Sequence, residues 1–421
     1  MPPAPAPRAV KPFFRVLTPD EAKRALEQFP PLGGETVAVP AAGGRVLAED
    51  IFAAEDMPHF HRSSMDGYAV RAEDTFGASA SQPAYLRLAG SIEMGEEAAR
   101  SLNRGEALRI ATGGMLPGEA EAVGMVEYCE ELVDGSVEIQ RGVSPWQNVL
   151  RVGEDIRRGD LVFPKGRRLR GQDLGALAGV GVTAVRAVRR PRVALLSTGD
   201  EIVAPDARPR PGQVRNVNQY SLLAMIEEAG GDPIDLGLVR DRPEALRAAL
   251  AKALERADLV LLSGGSSVGA KDMTLEVIAS FRDSHVVFHG ISYAPGKPTL
   301  LARVGGLPVM GLPGHPVSAL ITFRLFGGPL VRLLGGESPT AAFGYERRMR
   351  AVLGRNVASE PGREDYVRVT LESRADGALV ARPMAGKSGA IFSLVRADGM
   401  IRIPLEAEGL EEGEEVDVIL F

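Results

Sequence analysis

Four segments in the second half of the chain carry the residue types for anion and cation chemistry. They are Ser197-Thr198-Gly199-Asp200-Glu201, Arg240-Asp241, the run from Ser263 to Asp272, and Gly311-Leu312-Pro313-Gly314-His315-Pro316. Each follows an apolar run that reads as a strand, and two are glycine-rich turns that feed a helix. Such turns offer backbone N–H groups and the positive end of a helix dipole, which suit phosphate or another oxyanion. Ser263, Gly264, Gly265, Pro313, Gly314 and Pro316 are the candidate cradle residues. Glu201, Asp241 and Asp272 place carboxylates on the same rim, and carboxylates beside a phosphate cradle suit a hard cation such as Mg²⁺. One glycine turn or one acid at a strand end is ordinary in any α/β protein. The convergence of four segments is what points to a site.

Other signatures fail on their own residues. The run Gly265-Ser266-Ser267-Val268-Gly269-Ala270-Lys271-Asp272 misses a P-loop, with Ala before Lys and Asp where Ser or Thr belongs. It contains a G-x-S-x-G string, but the pattern starts the next helix near Met273, leaving a turn too long for a nucleophile elbow. No G-x-G-x-x-G follows a strand. His59 and His61 form an H-x-H pair without a third ligand pattern, and the lone Cys129 excludes cysteine-rich metal sites and internal disulfides. In the first half, Asp66-Gly67 and Thr112-Gly113-Gly114 can present a carboxylate, a hydroxyl and N–H donors, though tight hairpins explain them equally well.

The elements that position these residues follow from the pattern. A helix opens at Thr18, capped by Thr-Pro-Asp-Glu. From Thr36 to about Arg186 short apolar runs alternate with Gly, Pro and Asp, the grammar of strands and turns, with one helix near 171–181. After Arg190-Pro191 strands alternate with helices as far as Leu334, which predicts a central three-layer α/β unit with a mostly parallel sheet. Past Gly336 short strands return, as YVRVTLES, ALVARPM, GMIRIP and EVDVILF, in a small β unit. The chain has 421 residues and a net charge of −6, long enough for several domains and without a basic footprint for nucleic acid. No run of 18 apolar residues and no signal-peptide core is present, so a cytoplasmic protein away from membranes is expected.

The segments SSMDGYAVRAED, RIATGGMLPGEAEAVGMVE, VGEDIRRGD, STGDEIV, SGGSSVGAKDM, PGKP and GLPGHPVSALITF occur in an order that resembles the molybdopterin molybdenumtransferase family, that of bacterial MoeA and the gephyrin E-domain. The resemblance spans about Phe14 to Phe421. It implies a multidomain α/β plus β homodimer: domain I at 1–50 and 149–189, a β-rich domain II at 51–148, an α/β molybdopterin-binding domain III at 190–338, and a β-barrel domain IV at 339–421. The implied reaction joins molybdate to adenylylated molybdopterin, with Mg²⁺-dependent phosphoanhydride cleavage and release of AMP. Glu201, Asp241 and Asp272 then serve the metal and the phosphates. Asp66 and Thr112 match motifs that reach the partner's third domain in a shared cleft, and Asp155 matches a further family acid. Lys297 faces the anion, and Arg363 and Ser393 become oxyanion contacts. Implied partners are a second copy, a molybdopterin-adenylylating protein and proteins that deliver the product to apo-molybdoenzymes.

The chain departs from the family pattern at Ala294, where Lys is usual before P-G-K-P, and at His315, Ser266, His61 and Asp398. The missing Lys bears most on molybdate capture. It leaves a catalytically weakened dimeric scaffold as the alternative reading.

Overall fold

The structure is a computed structural model that describes residues 16–264, 268–375 and 377–421, with the side chains of 268–272 also outside the described residues. The central unit is built from β1 (Arg192–Thr198), α1 (Asn218–Glu228), β2 (Asp232–Val239), α2 (Pro243–Arg256), β3 (Leu259–Ser263), α3 (Val268–Ala279), β4 (Ser284–His289), β5 (Leu300–Val304) and β6 (Leu307–Leu312). Helix α4 (Pro316–Leu334) completes it. The sheet order is β2-β1-β3-β6-β5-β4, and only β5 runs against its neighbours. Alternate residues of β1 and β3 feed opposite faces. Val193, Leu195, Leu259 and Leu261 pack against α1 and α4, while Ala194, Leu196, Val260 and Leu262 pack against α2 and α3. That period of two, buried on both sides, makes the three layers.

Two elements differ from the sequence expectation. Helix α3 starts at Val268 rather than near Met273, so turn length no longer counts against an elbow at Ser267, which itself lies outside the described residues. The hairpin β5–β6 was not legible in TLLARVGGLPVMG. Gly305 and Gly306 both have positive φ, +56° and +87°, and close Val304 onto Leu307 with the twist that a two-residue turn requires.

Helix Pro19–Leu26 forms as its cap predicts. Thr18 Oγ1 accepts from Glu21 N at 3.3 Å, and the Glu21 carboxylate accepts from Thr18 N at 2.8 Å. Its Ala22 and Leu26 join the α1/α4 core. Gly34–Ala38 pairs antiparallel with Ala184–Val188, so segments at either end of the β-rich stretch form one ladder. Between them lies a six-stranded sheet in the order Ala122–Met125, Gly67–Val70, Glu106–Ile110, Ala84–Ile92, Ser136–Ile139 and Cys129–Glu131.

At the C-terminal end, Glu364–Ser373, Leu379–Pro383, Arg348–Leu353, Glu415–Leu420 and Gly399–Ile403 close into a barrel, because the first strand also pairs with the last. The two-residue strand Tyr293–Ala294 of the central unit adds in parallel to Glu364–Asp365 and fixes the barrel beside it. Helix α4 is long and apolar enough to cross a membrane, but 89% of its most apolar stretch is buried in the fold, and it is a core helix here.

Candidate functional site

The carboxyl ends of β1, β2, β3 and β6 open on a cleft of about 1000 Å³. Its wall includes Ser197, Thr198, Gly199, Glu201, Asp241, Ser263 and Gly264 from the first three strands, and Gly314, His315 and Pro316 from the turn into α4. Gly389 and Ile391 reach it from the C-terminal barrel. A mostly parallel sheet places ligands there, outside its carboxyl edge.

The turns are close-packed. Gly264 has φ +126°, and a Cβ there would lie 2.2 Å from the Thr198 carbonyl oxygen, so only glycine lets β3 leave the sheet beside β1. Asn218, at the start of α1, donates from Nδ2 to Ser263 Oγ at 3.0 Å and to the Gly314 carbonyl at 2.9 Å, tying the two cradle turns together. His315 Nδ1 lies 2.8 Å from Ser388 Oγ, and Val317 N donates to the Ser388 carbonyl at 3.1 Å, so the barrel loop Lys387-Ser388-Gly389 docks on the rim.

Among the described residues, five buried side-chain polar atoms lack a hydrogen-bond partner, and three of them belong to this cleft: Ser197 Oγ, Asn218 Oδ1 and Asp241 Oδ1. Buried polar atoms are nearly always satisfied, so three orphans around one cleft mark groups held ready for something outside the chain. Burial pushes the Asp241 carboxyl above its ordinary range, and the Asp200 and Glu201 charges push the same way, against one opposing backbone hydrogen bond from Asp200. The donor set is all oxygen and anionic, which fits a hard cation. Among the described residues no three His, Cys, Asp or Glu side chains stand together as a metal cage. Mg²⁺ commonly binds through one or two carboxylates plus substrate phosphates, so Glu201 and Asp241 fit it without a third.

The structure brings Glu201, Asp241, Ser263, Gly264, Gly314 and Pro316 together. Pro313 is buried immediately behind the wall. The Asp272 side chain and Gly265 lie outside the described residues. Asp66 and Thr112 do not line this cleft. They meet each other on the β-rich sheet, where Thr112 donates to Asp66 Oδ1 from N at 2.6 Å and from Oγ1 at 2.9 Å. Those bonds hold the exposed Asp66 carboxyl below its ordinary range. Asp155 is exposed, its N–H bonded to the Met57 carbonyl at 3.1 Å. Lys297 is exposed on the loop that follows Tyr293–Ala294 and is not part of the cleft wall. Arg363 grips Asp365 at 2.9 and 3.2 Å and Glu360 at 2.8 Å, so its charge is already matched.

Ser393 instead accepts from Arg368 at 2.9 Å; Arg368 also donates to the Gly386 carbonyl at 2.6 Å and is nearly buried. Sequence reasoning missed Arg368 and Asn218, and named Ser197 only as the opening of a strand-end segment. The signal for Asn218 was present in Asn216-Val217-Asn218, where the second asparagine opens helix α1.

Comparison with known proteins follows the same division of the chain. Residues 17–181 match the MoeA N-terminal region (domain I and II), residues 194–333 a probable molybdopterin binding domain, and residues 350–421 the MoeA C-terminal region (domain IV). The chain belongs to the MoeA family. A molybdopterin molybdenumtransferase of Haemophilus influenzae is 33% identical over 96% of this chain and 99% of its own length. One of Nostoc sp. is 34% identical over 91% and 88%. A crystal structure of a molybdopterin biosynthesis MoeA protein from Pyrococcus horikoshii superposes with a TM-score of 0.79 at 40% identity, covering 96% of this chain and 99% of that one. Within this MoeA-family chain the cleft thus lies on the segment matched as molybdopterin-binding, with its outer wall on the segment matched as domain IV.

Proposed function

We propose that this enzyme of molybdenum cofactor synthesis inserts molybdate into adenylylated molybdopterin, with Mg²⁺-dependent phosphoanhydride cleavage and release of AMP. The observation that carries the reading is the unpartnered Asp241 carboxylate oxygen beside Asp200 and Glu201, in a cleft whose other walls are glycine turns. An anhydride of two phosphates needs N–H donors for its oxygens and a cation between it and a negative rim; the glycine turns would supply the first, and Mg²⁺ at Glu201 and Asp241 the second.

Glu201 and Asp241 would hold Mg²⁺, which supplies Lewis-acid charge to the phosphates as the adenylyl group departs. Ser263, Gly264 and Gly314 offer the cradle, and Asn218 keeps the two turns at fixed separation. Ser197 and Asn218 each keep a polar atom free for the ligand. Ser388, held at His315, closes the cleft from the barrel side. Arg368 and Ser393 offer a cation and a hydroxyl near that wall for molybdate, in place of the charge-matched Arg363.

The active form is a homodimer in which Asp66 and Thr112 of one subunit complete the partner's cleft. Their exposure and their absence from the wall of their own subunit's cleft support it. Incubation with adenylylated molybdopterin, molybdate and Mg²⁺ tests the reading by AMP release. Retention of the adenylylated pterin without AMP release would favour the weakened scaffold, which Ala294 and the neutralised Arg363 make the second reading.

A further inference from the structure

The two remaining buried, unpartnered side-chain atoms are the Nε groups of Arg324 and Arg332. Both residues border a second cavity, of about 310 Å³, between α4 and the segment leading into the barrel. Two other half-buried arginines of this protein end on carboxylates: Arg189 grips Asp258 at 2.6 Å through two nitrogens, and Arg168 reaches Glu337 at 2.6 Å. Arg324 and Arg332 do not. Among the described residues each donates to a single acceptor, a backbone carbonyl: that of Leu420 for Arg324, and that of Ala342 at 3.5 Å for Arg332.

Aromatic faces hold the two guanidinium groups instead. Arg332 lies 3.5 Å from the centroid of the Tyr345 ring, and Arg324 lies 5.3 Å from that of Phe421. Stacking holds a guanidinium by its face and leaves its N–H edge for an anion. Burial lowers the pKa of both, opposed in part by the more distant charges of Glu346 and Glu228 at Arg324 and of Glu337 at Arg332. Of the acids that border the cavity, Glu346 is paired with Arg348 at 2.8 Å, and among the described residues neither Glu346 nor Glu228 stands at ion-pair distance from Arg324 or Arg332. Lys23, 3.7 Å from Asp20, stands on the rim, and Phe323, Pro329 and Phe343 give an apolar wall.

The backbone is specialised at the same place. Helix α4 opens into a π-helical turn at Phe323–Gly327, which carries Arg324. Gly327 permits that turn, since a Cβ there would stand 2.6 Å from the Phe323 ring. π turns inside α-helices occur mostly at functional positions.

We infer that this cavity binds a small organic anion, a carboxylate or phosphate head on an apolar or aromatic body, at a site separate from the cleft. Its volume is at the lower end of small-molecule pockets, roughly 300–1000 Å³, and suits a single ring with one charged substituent. The apolar wall takes the body, and the N–H edges of Arg324 and Arg332 take the head.

The test is a ¹⁹F NMR titration of the full chain with 4-fluorobenzoate, 4-fluorophenyl phosphate and the neutral 4-fluorobenzamide. At least one anion should show a saturable shift with a dissociation constant of about 1 mM or tighter, and the relative affinity of the two anions tells carboxylate from phosphate. The benzamide should not saturate. Arg324→Gln and Arg332→Gln should each weaken binding at least about tenfold, the effect of one lost charge-assisted hydrogen bond, in protein whose thermal melting confirms the fold. Glu201→Gln, in the cleft, should leave binding unchanged, which keeps the test decisive if an arginine variant misfolds. Absence of saturation by both anions, equal binding of the benzamide, undiminished binding in the folded arginine variants, or loss of binding in Glu201→Gln would each overturn the assignment.

Discussion

Asp241→Asn should stabilise the fold and abolish the response to Mg²⁺. The wild-type carboxylate keeps Oδ1 buried without a partner, while Asp200 and Glu201 add like charge. An unsatisfied buried polar atom costs about 1–3 kcal/mol, and a charged one more. Asp241 is only partly buried, so the lower figure applies. The amide keeps the shape and leaves an uncharged polar atom there, so the variant should gain only the difference between a charged and a neutral orphan, about 1 kcal/mol, or roughly 2–4 °C in melting temperature for a unit of this size. The sign follows from the raised carboxyl. Ionised Asp241 costs stability at every pH above its folded-state pKa. As pH falls through that value the cost recedes, and it is gone below the ordinary carboxylate pKa, where folded and unfolded states are both protonated. The gap between variant and wild type should therefore close in acid.

Mg²⁺ at about ten times its dissociation constant adds about 1.4 kcal/mol to the wild type by mass action, and should add nothing to a variant lacking the ligand. Differential scanning fluorimetry at neutral and acid pH, with and without Mg²⁺, reads all four conditions. A destabilised Asn variant, or equal Mg²⁺ stabilisation of both proteins, would refute the placement of a cation at Asp241.

Mixed Asp66→Asn and Asp241→Asn subunits should recover AMP release once exchanged, because one cleft in each mixed dimer is then intact; no recovery despite demonstrated exchange would contradict the shared cleft. Ala294→Lys should lower the molybdate concentration for half-maximal AMP release by roughly ten- to hundredfold, the value of one charge-assisted hydrogen bond of about 1.5–3 kcal/mol. Its ladder neighbour Asp365 is already occupied by Arg363 and Ser359, and so leaves the new charge free. Thr112→Val should raise the Asp66 carboxyl toward its ordinary range, read by carboxyl NMR. Its folded-state pKa is depressed, so the contribution it makes is present at neutral pH and is lost as pH falls through the folded value.

The alternation of strands and helices after Pro191 predicts the central unit because a sheet buried on both faces leaves near-continuous apolar runs such as RVALLS and DLVLLS. Glu201 and Asp241 were equally legible on the cleft rim, since a residue at a strand's carboxyl end in such a sheet has one place to be; the Asp272 side chain lies outside the described residues. Strand Arg348–Leu353 was not. Its basic residues face outward and only Ala351 and Leu353 are buried, so it lacks an apolar run. The pairing state of the arginines was also beyond reach. Arg363 looked like an oxyanion contact from its position, yet two carboxylates that the chain folds onto it consume its charge, whereas Arg368, five residues on, meets only a hydroxyl and a carbonyl. Sequence fixes which cations exist; three-dimensional neighbours decide which are spent.

The ladder between Gly34–Ala38 and Ala184–Val188 also sets a timetable for the ribosome. The first strand is synthesised about 150 residues before its ladder partner, a lag of about 7–30 s at 5–20 residues per second. During that interval the intervening β-rich sheet has all of its own strands and can close on itself. The early strand then remains an open edge until synthesis reaches Val188, and it carries Glu35 as the one charge along GETVA. Slow codons placed between 139 and 184 would lengthen that exposure, whereas the same codons after 188 would not.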